Sequence, residues 1–266
     1  MRNGNDAVRQ ENRKALPKFA LIMVCSMALG AVLGISMLFL HPEDLDAALT
    51  AAGTFFTTKL AGWLVPAVPV VELAVCLPLY FEAKRRLAAW DGEDEEASSR
   101  IEMRVCVCMW IAGLSTVLAF FLLAALLSGF AAMDGDPMRV TPALFFGGLG
   151  GFIAQLAVNM VLQQKLVDLT KRLNPEKHGS VYDVKFQKTW YESCDEAERL
   201  LIGQCALKAY QAMCTACLAL WVALTLGGMF FRWGFLPAMA VCIVWGAGQS
   251  VYCYWCVKLA KPGGTM

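Results

Sequence analysis

Apolar residues in this chain come in long unbroken runs, without the alternation or the 3.6-residue stripes of soluble elements. Six runs stand out, at 19–40, 60–81, 105–130, 143–164, 213–231 and 236–257. Each approaches the about 20 residues needed to cross about 30 Å of hydrocarbon. Hydrocarbon offers no partner to a backbone amide or carbonyl, so runs of this kind predict helices. The lack of alternation excludes a transmembrane β-barrel. The pattern predicts an all-α membrane protein with six transmembrane helices, paired as three hairpins.

Polar stretches divide the remainder. They are an amino-terminal segment, 1–18, expected to be helical; a loop, 82–104, within the block 19–164 of spans one to four; a larger segment, 165–212; and a tail, 258–266, after spans five and six in 213–257. Polar helices are expected at 5–18, 94–104 and 195–210, each leading into a span. Two carry the spacing of a capping box, Ser99 with Glu102 and Ser193 with Glu196, in which side chains satisfy free amides at a helix start. Residues 163–173 should extend span four until Asn174-Pro175 and His178-Gly179-Ser180 break it. Residues 181–186 read either as a short extended piece or as a helix start.

Composition agrees with this layout. The chain of 266 residues is 58% hydrophobic and 17% charged, against about 45–50% and about 25% for soluble domains, and its mean hydropathy is +0.53. A balance of 23 basic and 22 acidic residues gives no support to nucleic-acid binding. The distribution is more informative than the balance. Of the 23 basic residues, all but Lys59, Arg139 and Arg232 fall on one side of the predicted bilayer. That asymmetry predicts a multi-pass plasma-membrane protein with both termini cytoplasmic. The run at 19–40 is longer than the about 7–15 residues of a signal-peptide core, so it reads as a retained span.

The second helices of the three hairpins align. Val71-Glu72-Leu73-Ala74-Val75 matches Ala154-Gln155-Leu156-Ala157-Val158, and Gly248-Gln249-Ser250-Val251-Tyr252 fits the same frame more loosely. Each reaches a lysine further on, Lys84, Lys165 or Lys258. A threefold repeat about an axis along the membrane normal accounts for this; so does chance, since Leu, Ala and Val fill most spans.

Glu72 is the only charged residue in the six runs. An intramembrane carboxyl is a functional candidate by default. With Gln155, Asn159 one turn beyond it, and Gln249, it forms the set of intramembrane polar candidates. Two readings stay open. One is a substrate or ion path with Glu72 as proton or cation partner. The other is interhelical hydrogen bonding worth about 0.6–2 kcal/mol per contact. Pro66, Pro69 and Pro78 should bend span two around Glu72. Small residues, Ser26, Gly30 and Gly34 in span one and Gly147 and Gly151 in span four, predict close helix packing.

Eleven cysteines raise the question of metal or redox chemistry. Cys106 and Cys108, Cys214 and Cys217, and Cys253 and Cys256 fall near one leaflet, the last two pairs with C-x-x-C spacing. No histidine lies near them, and free cysteine also serves as a small apolar residue. Cys214, Cys217, Cys253 and Cys256 are weak metal candidates only; no cofactor is expected and no catalytic residue is assigned. The chain has no phosphate loop, H-E-x-x-H or G-x-S-x-G motif.

The segment Tyr182-Asp183-Val184-Lys185-Phe186-Gln187-Lys188, Trp190, Ser193-Cys194-Asp195-Glu196-Ala197-Glu198 and Lys208-Ala209-Tyr210 resembles a family of bacterial integral membrane proteins, typical of Gram-positive bacteria and catalogued as a domain of unknown function, number 3169. The resemblance extends over most of the chain, with its motif residues concentrated in 165–212. It implies a bacterial plasma membrane and brings no activity, substrate or catalytic residue. Asp183, Phe186, Trp190, Asp195, Glu196 and Glu198 carry it. Their position suggests either a docking surface for a cytoplasmic partner or the capping and packing of the helix entering span five.

These observations lead first to a non-enzymatic, permease-like or accessory membrane subunit. Its partners would be the lipid bilayer and a cytoplasmic protein or a second copy of the chain. The alternative is a small secondary transporter or channel centred on Glu72. An intramembrane thiol or metal enzyme ranks last.

Overall fold

The computed structural model describes residues 43–131, 140–231 and 234–259, with scattered positions between 17 and 32. The amino-terminal segment 1–18, most of the predicted span 19–40 with Ser26, Gly30 and Gly34, and the tail beyond Leu259 lie outside the described residues.

Among the described residues every regular element is a helix: α1 (Glu43–Phe55), a π-helical turn (Phe56–Leu60), α2 (Ala61–Ala89), α3 (Glu95–Ala131), α4 (Pro142–Leu173), α5 (Phe186–Glu192), α6 (Glu196–Phe231) and α7 (Leu236–Leu259). Five stretches are long and apolar enough to cross a membrane: Ala47–Ala89, Glu95–Phe130, Pro142–Leu173, Glu196–Gly228 and Leu236–Cys256. They contain the predicted spans two to four and cover all but the last residues of spans five and six. The chain forms two compact units, one of Leu49–Tyr210 and one of Met1–Ala48 with Gln211–Met266.

The helices outrun the apolar runs. The predicted connection before span two is helical from Glu43, and the predicted loop 82–104 shrinks to 90–94. Neither stretch contains a proline, and both are rich in alanine, leucine or charged helix formers that continue a helix once started. Extension of span four to Leu173 is as expected, and 181–185 is a series of turns before α5.

Both expected capping boxes are displaced. The Asp94 carboxylate accepts from the amides of Glu96 and Ala97, at 2.9 and 3.1 Å, and so caps α3. Ser99 lies inside that helix, and Glu102 instead accepts from Asn174 Nδ2 at 2.9 Å. At α6 the box is Asp195 with Glu198. The Glu198 amide donates to Asp195 Oδ1 at 2.7 Å, and the Asp195 amide donates to Glu198 Oε2 at 3.1 Å. Aspartate caps as well as serine does; Asp94 precedes Ser99 in the chain, and Ser193 is already the C-cap of α5. At α4, Thr141 caps the Leu144 amide and Pro142 occupies the first turn, where its missing N–H costs nothing.

Within the Leu49–Tyr210 unit, α2, α3 and α4 pack as a three-helix bundle. Their buried positions step by three and four. On α3 they are Ile101, Val105, Cys108, Ala112, Ala119, Leu122 and Leu126. On α4 the series is Gly148, Phe152, Gln155, Asn159, Leu162, Leu166, Leu169 and Leu173, with Gly151 and Val167 buried beside it. A 3.5-residue repeat of this kind keeps one seam facing its partners along the whole helix. Trp63, Val70, Phe81, Val117 and Phe121 point away from the seam and are exposed, as side chains facing lipid would be. α2 runs unbroken through Pro66, Pro69 and Pro78.

Glycine sets the spacing of α2 and α4. A Cβ on Gly151 would stand 2.6 Å from Pro66 Cα, and one on Gly148 would stand 2.5 Å from a Leu126 methyl. Gly147, expected to share the contact with Gly151, has open space around it. Since the obstacle at Gly151 is backbone, Gly151→Ala should destabilise the protein by about 1–3 kcal/mol. Gly150→Ala, in open space, should cause no loss. Thermal unfolding of both variants in one detergent checks this; equal midpoints would remove the close-packing argument.

Candidate functional site

The three-helix seam is apolar at both ends and polar in the middle. One apolar cluster contains Cys76, Cys108, Ala112, Leu162 and Leu166. Another contains Val65, Val68, Ala119, Leu122 and Phe152. Between them lie Glu72 on α2, Ser115 and Thr116 on α3, and Gln155 and Asn159 on α4. Glu72 and Gln155 are 1% and 0% exposed, and Asn159 is 7% exposed. Each falls on the three-four seam of its helix, so apolar packing on both sides drives these polar side chains together.

Gln155 Nε2 donates to Glu72 Oε2. Ser115 stands close enough to interact with the same carboxyl. Asn159 Nδ2 donates to Thr116 Oγ1, and the Thr116 hydroxyl donates to the Ala112 carbonyl at 2.9 Å. Three buried oxygens remain without a hydrogen bond of good geometry: Glu72 Oε1, Gln155 Oε1 and Asn159 Oδ1. A buried acceptor without a partner costs about 1–3 kcal/mol. No Lys or Arg pairs with Glu72 among the described residues. The layer therefore has surplus acceptors and, if Glu72 is ionised, an unbalanced negative charge. A proton or a cation corrects the charge and relieves at least part of the acceptor surplus.

Cys76 and Cys108 lie one helical turn below this layer. Each thiol is directed at the other residue's backbone carbonyl, at 4.0 and 3.8 Å, a weak tie between α2 and α3. Cys214, Cys217, Cys253 and Cys256 are free thiols, and no group of three His, Cys, Asp or Glu that could hold a metal ion occurs among the described residues.

Of the four intramembrane candidates, the structure brings Glu72, Gln155 and Asn159 together. Gln249 lies on α7, in the other compact unit, and is exposed. Ser115 and Thr116 were not anticipated. Their signal was two adjacent hydroxyls in the middle of an otherwise apolar run, weak because hydroxyls also bond to the preceding turn of their own helix.

The motif of the polar segment forms a second feature. Phe186 and Trp190 pack with ring centres 5.6 Å apart. Asp183 closes a turn through the Lys185 amide at 2.9 Å. Asp195 and Glu198 form the capping box of α6, and Glu196 is exposed in its first turn. Glu198 also pairs with the buried Lys177, whose Nζ lies 3.4 Å from the Cys194 sulfur. A cavity of about 380 Å³ opens beside this pair, lined by Val105 and Met109 of α3 and by Phe186 and Trp190. A second, of about 500 Å³, lies at the other end of the bundle and reaches Lys59, Gly62 and Pro66. Glu72 lines neither.

Compared with family models, curated proteins and solved structures, the chain matches none.

Burial pushes the Lys177 ammonium down, but its hydrogen bonds to Glu198 and Cys194 outweigh this and hold it above the ordinary lysine value. A raised folded-state value gives stability that is complete below the unfolded lysine's value of about 10.4 and is lost as pH climbs past the folded one. Glu198→Gln keeps the capping box but removes the counter-charge. It should cost about 1–3 kcal/mol near neutral pH. The gap from wild type should narrow above about pH 10.4, as both chains lose the lysine proton. Urea or thermal unfolding across pH checks this; a gap independent of pH would assign the loss to something other than Lys177.

Proposed function

We propose that this chain is a multi-pass membrane protein that binds a proton or a cation at Glu72, as a small secondary transporter does. One observation carries the reading: a fully buried carboxyl with no basic partner among the described residues, in a layer where three oxygens lack donors among those residues. An interhelical bonding network built only for stability would match its acceptors with donors; this one does not. The site is closed to the surface, which favours alternating access over an open pore. The Pro-rich α2, packed against glycines of α4, is the element whose movement would open it.

The proposal includes six spans, with 19–40 as the first, a bacterial plasma membrane, both termini cytoplasmic, and membership of the family the 182–210 segment resembles. The segregation of 23 basic residues supports the orientation. The proposal of a threefold repeat rests on the alignment of 71–75 with 154–158 and 248–252.

A second reading makes the chain an accessory subunit that receives a cytoplasmic partner on 165–212. The cavity of about 380 Å³ beside Phe186 and Trp190 favours it. Against it stands the local work of the motif: Asp195 and Glu198 cap α6 and hold Lys177.

Reconstitution in vesicles separates the two. With an imposed pH or sodium gradient, the wild type should collapse the gradient faster than empty vesicles. Glu72→Gln should reduce the rate at least tenfold while giving the same yield and unfolding midpoint. Equal rates in wild type and Glu72→Gln would refute a transport role for this carboxyl. A wild type no faster than empty vesicles, together with binding of a cytoplasmic protein that a Phe186→Ala, Trp190→Ala double variant loses, would favour the partner-binding segment as the working part.

A further inference from the structure

The polar layer has a composition that discriminates among occupants. Each amide nitrogen in it makes one hydrogen bond, and so does the Thr116 hydroxyl; among the described residues the atoms of the layer that make none are oxygens. The three unpartnered oxygens belong to a carboxylate and two carboxamides. They are linked through the Gln155–Glu72 contact and through the one-turn spacing of Gln155 and Asn159 on a single helix face. The Ser115 hydroxyl stands beside the same carboxyl.

Four occupants compete. A proton on Glu72 turns Oε1 into a donor and satisfies that atom and Gln155 Oε1 as an acid–amide pair, but leaves Asn159 Oδ1 as before. A water molecule donates to two oxygens but leaves the carboxylate charge uncompensated between two apolar clusters. A divalent ion meets only one carboxylate and leaves a net positive charge in the same surroundings. A monovalent metal ion can accept lone pairs from carboxylate, carboxamide and hydroxyl oxygens alike, and one unit of charge cancels one carboxylate. Carboxylate, carbonyl and hydroxyl oxygens are the ligands hard cations select. Close packing of α2 on α4, where Pro66 abuts Gly151 one turn from Gln155, favours a small ion.

We propose that Glu72 Oε1, Gln155 Oε1, Asn159 Oδ1 and the Ser115 hydroxyl form a dehydrated binding site for a small monovalent metal cation of the sodium class. The inference rests on the cation-or-proton reading of Glu72 and narrows it to one ion class. Asn159 is its distinguishing residue, because a proton has no use for that oxygen and a cation does.

The test is thermal unfolding of the full chain in detergent, with sodium chloride titrated against choline chloride at constant ionic strength. Sodium and lithium should raise the midpoint with the logarithm of their concentration, as ligands of the folded state do. Potassium and choline should not. Asn159→Ala should move the half-saturating sodium concentration up at least tenfold, and Glu72→Gln should abolish the response. Should Glu72→Gln fold poorly, Gln155→Ala and Asn159→Ala supply the same comparison. Identical midpoints in sodium and choline overturn the cation site. If the midpoint then responds to pH in the wild type but not in Glu72→Gln, Glu72 is a proton site and only the narrower proposal falls. If neither titration separates wild type from Glu72→Gln, the broader reading falls with it.

Discussion

The Leu49–Tyr210 unit is organised around a carboxyl that has no basic partner among the described residues. Glu72 is placed at the centre of a three-helix seam with apolar clusters above and below it. At such a position a neighbouring helix supplies the partner, and α4 supplies Gln155. That single contact sets the register of α2 against α4. A shift of one residue along either helix would turn the carboxyl or the amide toward lipid, where neither finds a partner. Asn159 with Thr116 does the same between α4 and α3. A polar residue at one seam position is a recognised device for specifying register.

This arrangement depends on backbones that approach closely. Pro66 meets Gly151, and Gly62 lies 3.5 Å from the Cβ position of Gly148. Without those glycines the helices would stand further apart, and short polar side chains such as Thr116 and Asn159 would not reach one another. Proline in α2 removes amide donors from the helix interior, which is tolerable where a neighbouring helix packs tightly against the affected turn. The residues that allow contact and those that form the polar layer therefore belong to one design.

At the far end of the bundle, charges are handled differently. Lys177 is buried but paired, and its partner Glu198 is also half of the box that starts α6. One carboxylate ends a loop, begins a helix and neutralises an ammonium. The contrast with Glu72 separates a charge whose role is structural and complete from one whose environment is left short of a positive group.

The sequence by itself determined the class, the number of long apolar runs and the unusual status of Glu72, because these depend only on composition along the chain. Five of its runs reappear as helices of membrane-crossing length. Gln155 and Asn159 were also legible, as amides in apolar surroundings. Helix starts were less so: Asp94 and Asp195 cap where Ser99 and Ser193 were expected, since several adjacent residues can accept from a free amide and only the full helix selects one. The buried seam was illegible for a physical reason. A membrane helix is apolar on every side, so the stripe that marks the core of a soluble helix is missing. Tertiary packing decided which face turned inward. It joined Ser115 and Thr116 to the polar layer, made Gly148 and not Gly147 the partner of Gly151 in helix contact, and left three oxygens in search of a positive charge.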